Sequence, residues 1–253
     1  MAGAGMAEAQ HVAIDRLWPA PAADLDDDAL VAGLRGAEPV LRVNFVSSVD
    51  GAATRDGLSG GLGDAADRRY FELLRRVADV VLVGAGTVRA EGYGPMRVSD
   101  ASAAWRSANG LTPHPVFAIV SGALDLDPGS RIFTEAPVRP VVVTTEGHDV
   151  SAFAEVADVV EAGRGDRIDG ATAVAALRAR GLDRILCEGG PHLFGALLAA
   201  DQVDELCVTI EPTLEAGDAR RIAAGELPEP RGLALAHVLQ SGSTLLLRYV
   251  RER

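Results

Sequence analysis

Cysteine and aromatic residues are scarce in this sequence. The 253 residues include two cysteines, Cys187 and Cys207, which form neither a CxxC pair nor a disulfide framework. We therefore expect two buried thiols in a reducing compartment. Aromatic residues make up 4% of the chain, so alanine, valine and leucine must fill the interior. Hydrophobic residues make up 48%, which is ordinary globular usage and excludes a disordered or fibrous protein.

Positive charge is also scarce. The chain has 24 Lys and Arg against 36 Asp and Glu, a formal net charge of −12. Nucleic-acid binding depends on basic residues that contact phosphates, so we expect no nucleic-acid partner. A small phosphorylated metabolite can still bind where a few arginines converge.

The sequence shows no recognisable signal peptide, membrane-spanning run or metal-binding motif. Residues 1–15 have neither the basic flank nor the apolar stretch of a signal peptide, and no apolar run approaches the length that crosses a bilayer. The five histidines are dispersed, with no HExxH motif or His/Cys cluster. We predict a cytoplasmic protein with no membrane partner and no metal site.

Apolar runs typical of buried strands alternate with helical patterns over most of the chain. Strands are predicted at 40–46, 80–83, 116–120, 141–144, 184–187, 205–210 and 244–250. The alternation predicts an α/β fold with a mostly parallel sheet. The last two strands have no helical pattern between them and predict an antiparallel C-terminal edge. Residues 1–38 are predicted to form an N-terminal arm with a short helix near 26–34, and residues 39–253 one domain.

Polar residues and glycines gather at the ends of three predicted strands, in segments 47–51, 84–91 and 188–194. In an open α/β sheet, ligands bind beyond the carboxyl ends of the strands. Glycines let the backbone approach a pyrophosphate, and a following helix N-terminus offers free N–H groups. Two glycine-rich junctions of this kind favour a bound cofactor over plain tight turns.

Several charged residues lie near these strand ends, each with two possible roles. Asp50 either caps a turn or handles a proton. Arg75, on a predicted helix, either binds the ligand or is solvated. Arg89 and Arg97 are predicted to bind phosphate from a loop. His192 either caps a helix or contacts the ligand.

Two familiar motifs lack a residue of their pattern or the structural context that they require. Gly84-Ala85-Gly86 begins the dinucleotide-binding GxGxxG pattern, but Arg89 stands at the third glycine position, which argues against a Rossmann domain. Residues 57–61 match GxSxG, but no buried strand precedes them, which argues against a hydrolase.

Three segments together resemble a known family. Residues 44–51 (NFVSSVDG), 83–91 (VGAGTVRAE) and 187–191 (CEGGP) are similar, in order and spacing, to the reductase domain of the bifunctional riboflavin-biosynthesis deaminase–reductases. The resemblance runs from about residue 39 to 253. It implies a three-layer fold like that of dihydrofolate reductase, NADPH as cofactor, and a homodimer.

The resemblance and the glycine junctions also assign site residues. Cofactor contacts are expected at Val46, Gly84, Gly86, Thr87, Glu91, Gly189, Gly190, Pro191, His192, Leu193 and Phe194. Contacts to a phosphorylated pyrimidine substrate are expected at Ser48, Ser59, Arg75, Arg97 and Glu188. Asp50 is the expected catalytic acid, near the junction of nicotinamide and substrate. The implied reaction reduces 5-amino-6-(5-phosphoribosylamino)uracil to its 5-phosphoribitylamino form, by hydride transfer to ribosyl C1′ of the ring-opened imine.

The chain departs from the family pattern at two positions. Ala52 stands where a Lys or Arg commonly follows Asp-Gly, and Gly61 stands where Trp is often found. The zinc signature of the deaminase half is also missing. A dihydrofolate-type pterin reductase and a non-catalytic NADPH-binding protein therefore stay open as alternatives.

Overall fold

The apolar runs of the sequence form the centre of a ten-stranded sheet in a computed structural model, which describes residues 11–36, 38–165 and 167–252. The strands are β1 (Asp15–Trp18), β2 (Val40–Ser48), β3 (Val80–Gly84), β4 (Val116–Val120), β5 (Val141–Thr144), β6 (Asp158–Glu161), β9 (Arg184–Cys187), β10 (Glu205–Glu211), β11 (Leu233–Ser241) and β12 (Thr244–Arg251). A small separate hairpin consists of β7 (Gly163–Arg164) and β8 (Arg167–Ile168).

The order of the strands is β1-β11-β12-β10-β2-β9-β3-β4-β5-β6. From β10 to β6 all neighbours are parallel, whereas β12, β11 and β1 add to β10 in antiparallel fashion. The central parallel strands are continuous apolar runs because both of their faces are covered.

Several helices begin at residues that are typical of helix N-termini. They are α1 (Asp27–Leu34), α2 (Ala65–Val77), α3 (Ala85–Ala90), α4 (Asp100–Ala108), α5 (Arg131–Thr134), α6 (Gly170–Arg178) and α7 (Pro191–Ala199), with a short 3₁₀ helix at Ser151–Phe153. The Asp64 carboxylate caps α2 by accepting hydrogen bonds from the N–H groups of Ala66 and Asp67. Pro191 occupies the first turn of α7, where its missing N–H costs nothing.

Two apolar clusters lie on opposite faces of the sheet. Tyr70, Leu73 and Leu74 of α2 pack into the first, and Leu177 of α6 and Leu197 of α7 pack into the second. The result is a three-layer α/β arrangement, as the alternation of strands and helices predicts. Among the described residues, no helix is both long and apolar enough to span a membrane.

The antiparallel edge is present but wider than predicted. β12 is followed by β11 and then by β1, and neither of these strands was predicted. β1 comes from the predicted N-terminal arm, and the arm also buries Ile14 and Leu30 in the first cluster. The domain boundary at residue 38 stays a prediction, although residues 11–36 pack as part of the same sheet and core.

Candidate active site

A large open cleft of about 1700 Å³ lies beyond the carboxyl ends of the parallel strands. Thirteen of the predicted site residues line it: Val46, Ser59, Arg75, Gly84, Gly86, Thr87, Glu91, Arg97, Glu188, Gly190, Pro191, His192 and Leu193. Four other predicted residues, all of which the structure describes, lie outside its lining: Ser48, Asp50, Gly189 and Phe194. The cleft therefore brings together the ends of β2, β3 and β9 at one place, as expected for this kind of sheet.

The two glycine-rich junctions touch each other and form one wall of the cleft. The Gly84 N–H donates to the Gly189 carbonyl at 2.8 Å. A Cβ at Gly190 would come within 2.5 Å of the Thr87 hydroxyl, so only glycine fits there. A Cβ at Gly86 would meet nothing within 4 Å, so the backbone there borders open space.

The N-terminus of α7 lines this part of the cleft, and no side chain of the described residues caps it. Its N-cap, Gly190, has no side chain, and its first turn contains no acidic residue. The free N–H groups and the helix dipole therefore favour an anionic group at this point.

Another part of the cleft wall is built around a buried ion pair. Arg75 Nε and Nη2 donate to the two carboxylate oxygens of Glu188 at 2.6 and 2.7 Å, and the Tyr93 hydroxyl donates to Glu188 Oε2 at 2.9 Å. The side chains of Arg75 and Glu188 are 17% and 1% exposed. Burial and the neighbouring Glu188 carboxylate raise the pKa of Tyr93 well above its usual range, so its hydroxyl keeps its proton. Arg75 and Glu188 therefore meet a ligand as one coupled unit.

Glu91 connects the cleft wall to the glycine-rich loop. Its carboxylate accepts hydrogen bonds from the N–H groups of Ser59 (2.7 Å) and Gly60 (3.4 Å). This contact holds Ser59, a predicted substrate residue, against the cofactor side of the cleft.

Asp50 has a different setting from the one expected of a catalytic acid. It is exposed, and its carboxylate accepts hydrogen bonds from the Ser48 hydroxyl (2.5 Å) and from the N–H groups of Glu215 and Ala216 (3.1 and 2.8 Å). The Ser48 hydrogen bond, with these backbone donors, lowers the pKa of Asp50 to about 2. Such a carboxylate is ionised near neutral pH and has no proton to give. Its part in catalysis stays a prediction, and in this geometry it orders a turn.

All cations that line the cleft are arginines, because the sequence contains no lysine. They are Arg68, Arg75, Arg97, Arg167 and Arg220. Arg97 is exposed and donates to the Glu135 carbonyl at 2.9 Å. The expectation that Arg89 binds phosphate from a loop does not fit its position. It lies on α3, where it donates to the Asp125 carbonyl, outside the cleft lining.

Sequence reasoning missed one face of α2. Asp67, Phe71 and Arg75 are spaced i, i+4, i+8, and all three line the cleft. Residues at this spacing share one side of a helix. The signal was the pair of charged residues Asp67 and Arg75 beside the apolar row that predicted the helix.

Comparisons with known proteins identify the family of the chain. The family model described as RibD C-terminal domain matches residues 39–247. The chain is 29% identical to the riboflavin biosynthesis protein RibD of Mycobacterium tuberculosis over 181 residues, which are 71% of this chain and 44% of that protein. It thus spans less than half the length of that relative. It is 31% identical to the 2,5-diamino-6-ribosylamino-4(3H)-pyrimidinone 5′-phosphate reductase of Methanothermobacter thermautotrophicus, over 83% of this chain and 97% of that one.

A solved structure shares the fold. The pyrimidine reductase-like protein of Corynebacterium diphtheriae superposes with a TM-score of 0.75 at 27% identity, over 85% of this chain and 92% of that chain. The predicted fold class, α/β and similar to dihydrofolate reductase, is confirmed.

Proposed function

Since the chain belongs to the RibD C-terminal domain family, we propose that it is an NADPH-dependent reductase of riboflavin biosynthesis. The substrate we propose is 5-amino-6-(5-phosphoribosylamino)uracil, and the product its 5-phosphoribitylamino form. One observation carries the proposal. A glycine cradle (Gly84, Gly86 and Gly190) suited to a cofactor and five arginines suited to a phosphorylated substrate line the same cleft. We further propose that the enzyme works in the cytoplasm, without a nucleic-acid or membrane partner.

The cradle fits a dinucleotide cofactor. The uncapped start of α7 supports a phosphate group, and the space above Gly86 leaves room for it. A reduced nicotinamide bound here supplies a hydride. The chain's own residues then position the two partners, with Val46, Thr87 and the first turn of α7 on the cofactor side.

The substrate side fits a phosphorylated pyrimidine. Arg97 offers an exposed guanidinium, and the Arg75–Glu188 unit offers a donor and an acceptor close together. The substrate of the methanogen relative, a diaminopyrimidinone, is a second candidate, because this chain covers 97% of that relative.

Steady-state NADPH oxidation tests the proposal. We expect turnover with one of the two phosphoribosylaminopyrimidines and little with dihydrofolate or another pterin. Turnover with the pterin alone would favour a pterin reductase. Binding of NADPH without turnover of any of them would favour a non-catalytic protein.

Removing the Arg97 guanidinium should weaken binding of the phosphorylated substrate. Hydrogen bonds to charged groups contribute about 1.5–3 kcal/mol, so the KM for that substrate should rise roughly 10- to 100-fold in Arg97→Ala. The KM for a pterin without phosphate should change little. Arg131→Ala, which removes another exposed arginine outside the cleft lining, is the matched control. Equal losses with both substrates would contradict the phosphate assignment.

We also propose that the chain forms a homodimer through the open face of β10 and β12. Leu206, Val208 and Ile210 of β10 pair with Tyr249, Leu247 and Leu245 of β12, and all six are only partly buried. The alternate residues of β10 face α2 and are buried. A row of apolar side chains this size on a sheet face needs a cover, and a second copy supplies a matching one.

Light scattering at micromolar concentration should give twice the mass of the chain. Leu247→Arg, which places a charge in the centre of this face, should shift the protein to monomer. Leu214→Arg changes an exposed leucine elsewhere (80% exposed) and should leave the dimer intact. A monomeric wild-type protein would contradict the proposal.

A further inference from the structure

The proposed reduction needs a proton donor, and the carboxyl group of Asp67 lines the cleft. Asp67, in the first turn of α2, is partly buried and lines the cleft. It lies two turns from Arg75 on the same face of the helix. Asp67 is therefore on the substrate side of the cleft, whereas the Asp50 carboxylate is outside its lining.

The register of the sheet places Asp67 beside the expected reaction centre. The Thr209 hydroxyl on β10 donates to Asp67 Oδ1 at 2.6 Å. Thr209 pairs directly with Val46 on β2. Paired residues of neighbouring strands point to the same face of a sheet, so Val46 points toward α2 and Asp67 as well. Val46 is an expected cofactor contact, which puts the carboxyl group of Asp67 where cofactor and substrate would meet.

The local backbone makes room for this carboxyl group. A side chain at Gly63 would overlap Asp67 Oδ2, so glycine at this position keeps the space free. Asp67 Oδ1 is held by Thr209, and the second oxygen lies next to the glycine-rich segment that lines the cleft.

The surroundings of Asp67 raise its pKa. Burial raises the pKa of Asp67, and the nearby Asp64 carboxylate raises it further, while the Thr209 hydrogen bond and Arg68 act in the opposite direction. Glu211 on β10 adds a third carboxyl group, whose pKa is also raised by burial. Of these three acids, all within the described chain, Asp67 alone lines the cleft.

We propose that Asp67 is the proton donor of the reduction. The inference rests on the proposed function. As a hydride adds to C1′ of the substrate imine, the C=N π bond breaks and its electron pair takes the Asp67 proton at nitrogen. The nicotinamide is oxidised, the imine becomes an amine, and the Asp67 carboxylate recovers a proton from water.

Kinetics of Asp67→Asn test the assignment. General acid catalysis typically contributes 10²–10⁴-fold, so kcat should fall by about that factor, while the KM and the Kd of NADPH should stay within about threefold. In the wild type, kcat should fall as pH rises through the pKa of Asp67, and in Asp67→Asn this limb should disappear. Glu72→Gln, a change of carboxylate to amide on the same helix but outside the cleft lining, is the control.

Thermal unfolding against pH gives a readout that does not depend on activity. A carboxyl group whose pKa is raised on folding destabilises the folded state progressively as pH rises above its unfolded value. Asp67→Asn should therefore gain stability relative to wild type as pH rises above about 4. Asp50→Asn should show no such trend above about pH 5, because the pKa of Asp50 is already lowered to about 2.

Thr209→Val keeps the acid and removes its hydrogen bond. Because that bond lowers the pKa of Asp67, the pH limb of kcat should move upward in this variant. This shift in the pH dependence of kcat tests the assignment of Asp67 even if Asp67→Asn does not fold. The assignment of Asp67 would be overturned if the wild type turns over substrate and folded Asp67→Asn keeps more than about a third of its kcat. It would also be overturned if the pH dependence of kcat in Thr209→Val is the same as in the wild type. No wild-type turnover of either pyrimidine would instead overturn the proposed function.

Discussion

Replacing Gly86 with aspartate should nearly abolish NADPH binding without harming the fold. Gly86 lies on α3 within the first glycine junction, and a Cβ there would meet nothing within 4 Å. The new carboxylate would occupy the open space of the cleft and repel the cofactor phosphates. We expect the Kd of NADPH to rise at least about 100-fold, which corresponds to about 2.7 kcal/mol.

The control for this experiment is Gly33→Asp. Gly33 is also a helical glycine with nothing within 4 Å of its Cβ position, but it lies on α1, outside the cleft lining. Fluorescence titration with NADPH should separate the two variants, and their melting temperatures should be similar. A normal Kd in folded Gly86→Asp would contradict the placement of the cofactor. Gly190→Val should also lose at least about tenfold in affinity. It is a less direct test, because its Cβ would collide with Thr87 inside the protein.

Breaking the buried Arg75–Glu188 pair should lower the free energy of unfolding substantially. Removing one partner of a buried pair leaves an uncompensated charge and typically costs about 3–5 kcal/mol. Arg75→Met leaves the 1% exposed Glu188 carboxylate without its cation, so we expect a loss of about 3 kcal/mol in the free energy of unfolding.

A double-mutant cycle isolates this interaction. Glu188→Gln still accepts the Tyr93 hydrogen bond, so Arg75→Met combined with Glu188→Gln should recover more than half of the loss. Urea unfolding at neutral pH measures all four proteins. Additive losses in the double variant would show that the two side chains act independently, contrary to the geometry.

Most of the parallel strands could be predicted because the central ones are buried on both faces, whereas the edge strand β6 was missed. The central strands are continuous apolar runs, as in 80–83 and 141–144, which became β3 and β5. β11 and β1 could not be predicted in this way. Apolar and polar residues do not alternate clearly in β11. β1 is four residues long and pairs with β11, which lies more than 200 positions away in the chain. The partners of such strands are long-range contacts, which local patterns do not contain.

Local patterns and long-range contacts also differ in what they predict about the site. Glycine junctions at strand ends are local signals, and they correctly located the cleft at Gly84 and Gly190. Arg89 was misplaced because residues 85–90 form a helix that directs this arginine away from the cleft. Asp67 was overlooked because an acid in the first turn of a helix is common for reasons of the helix dipole alone. Its position beside Val46 follows only from the pairing of β10 with β2.

Transfer of a labelled hydride tests the central claim most directly. The purified protein would be given NADPH deuterated at the transferring C4 position and either 5-amino-6-(5-phosphoribosylamino)uracil or the diaminopyrimidinone. The proposed reaction predicts NADPH oxidation and a product whose ribityl C1′ carries one deuterium, visible by mass spectrometry and NMR. If neither pyrimidine oxidises NADPH, or if deuterium appears only in a reduced pterin, the chain is not the pyrimidine reductase proposed.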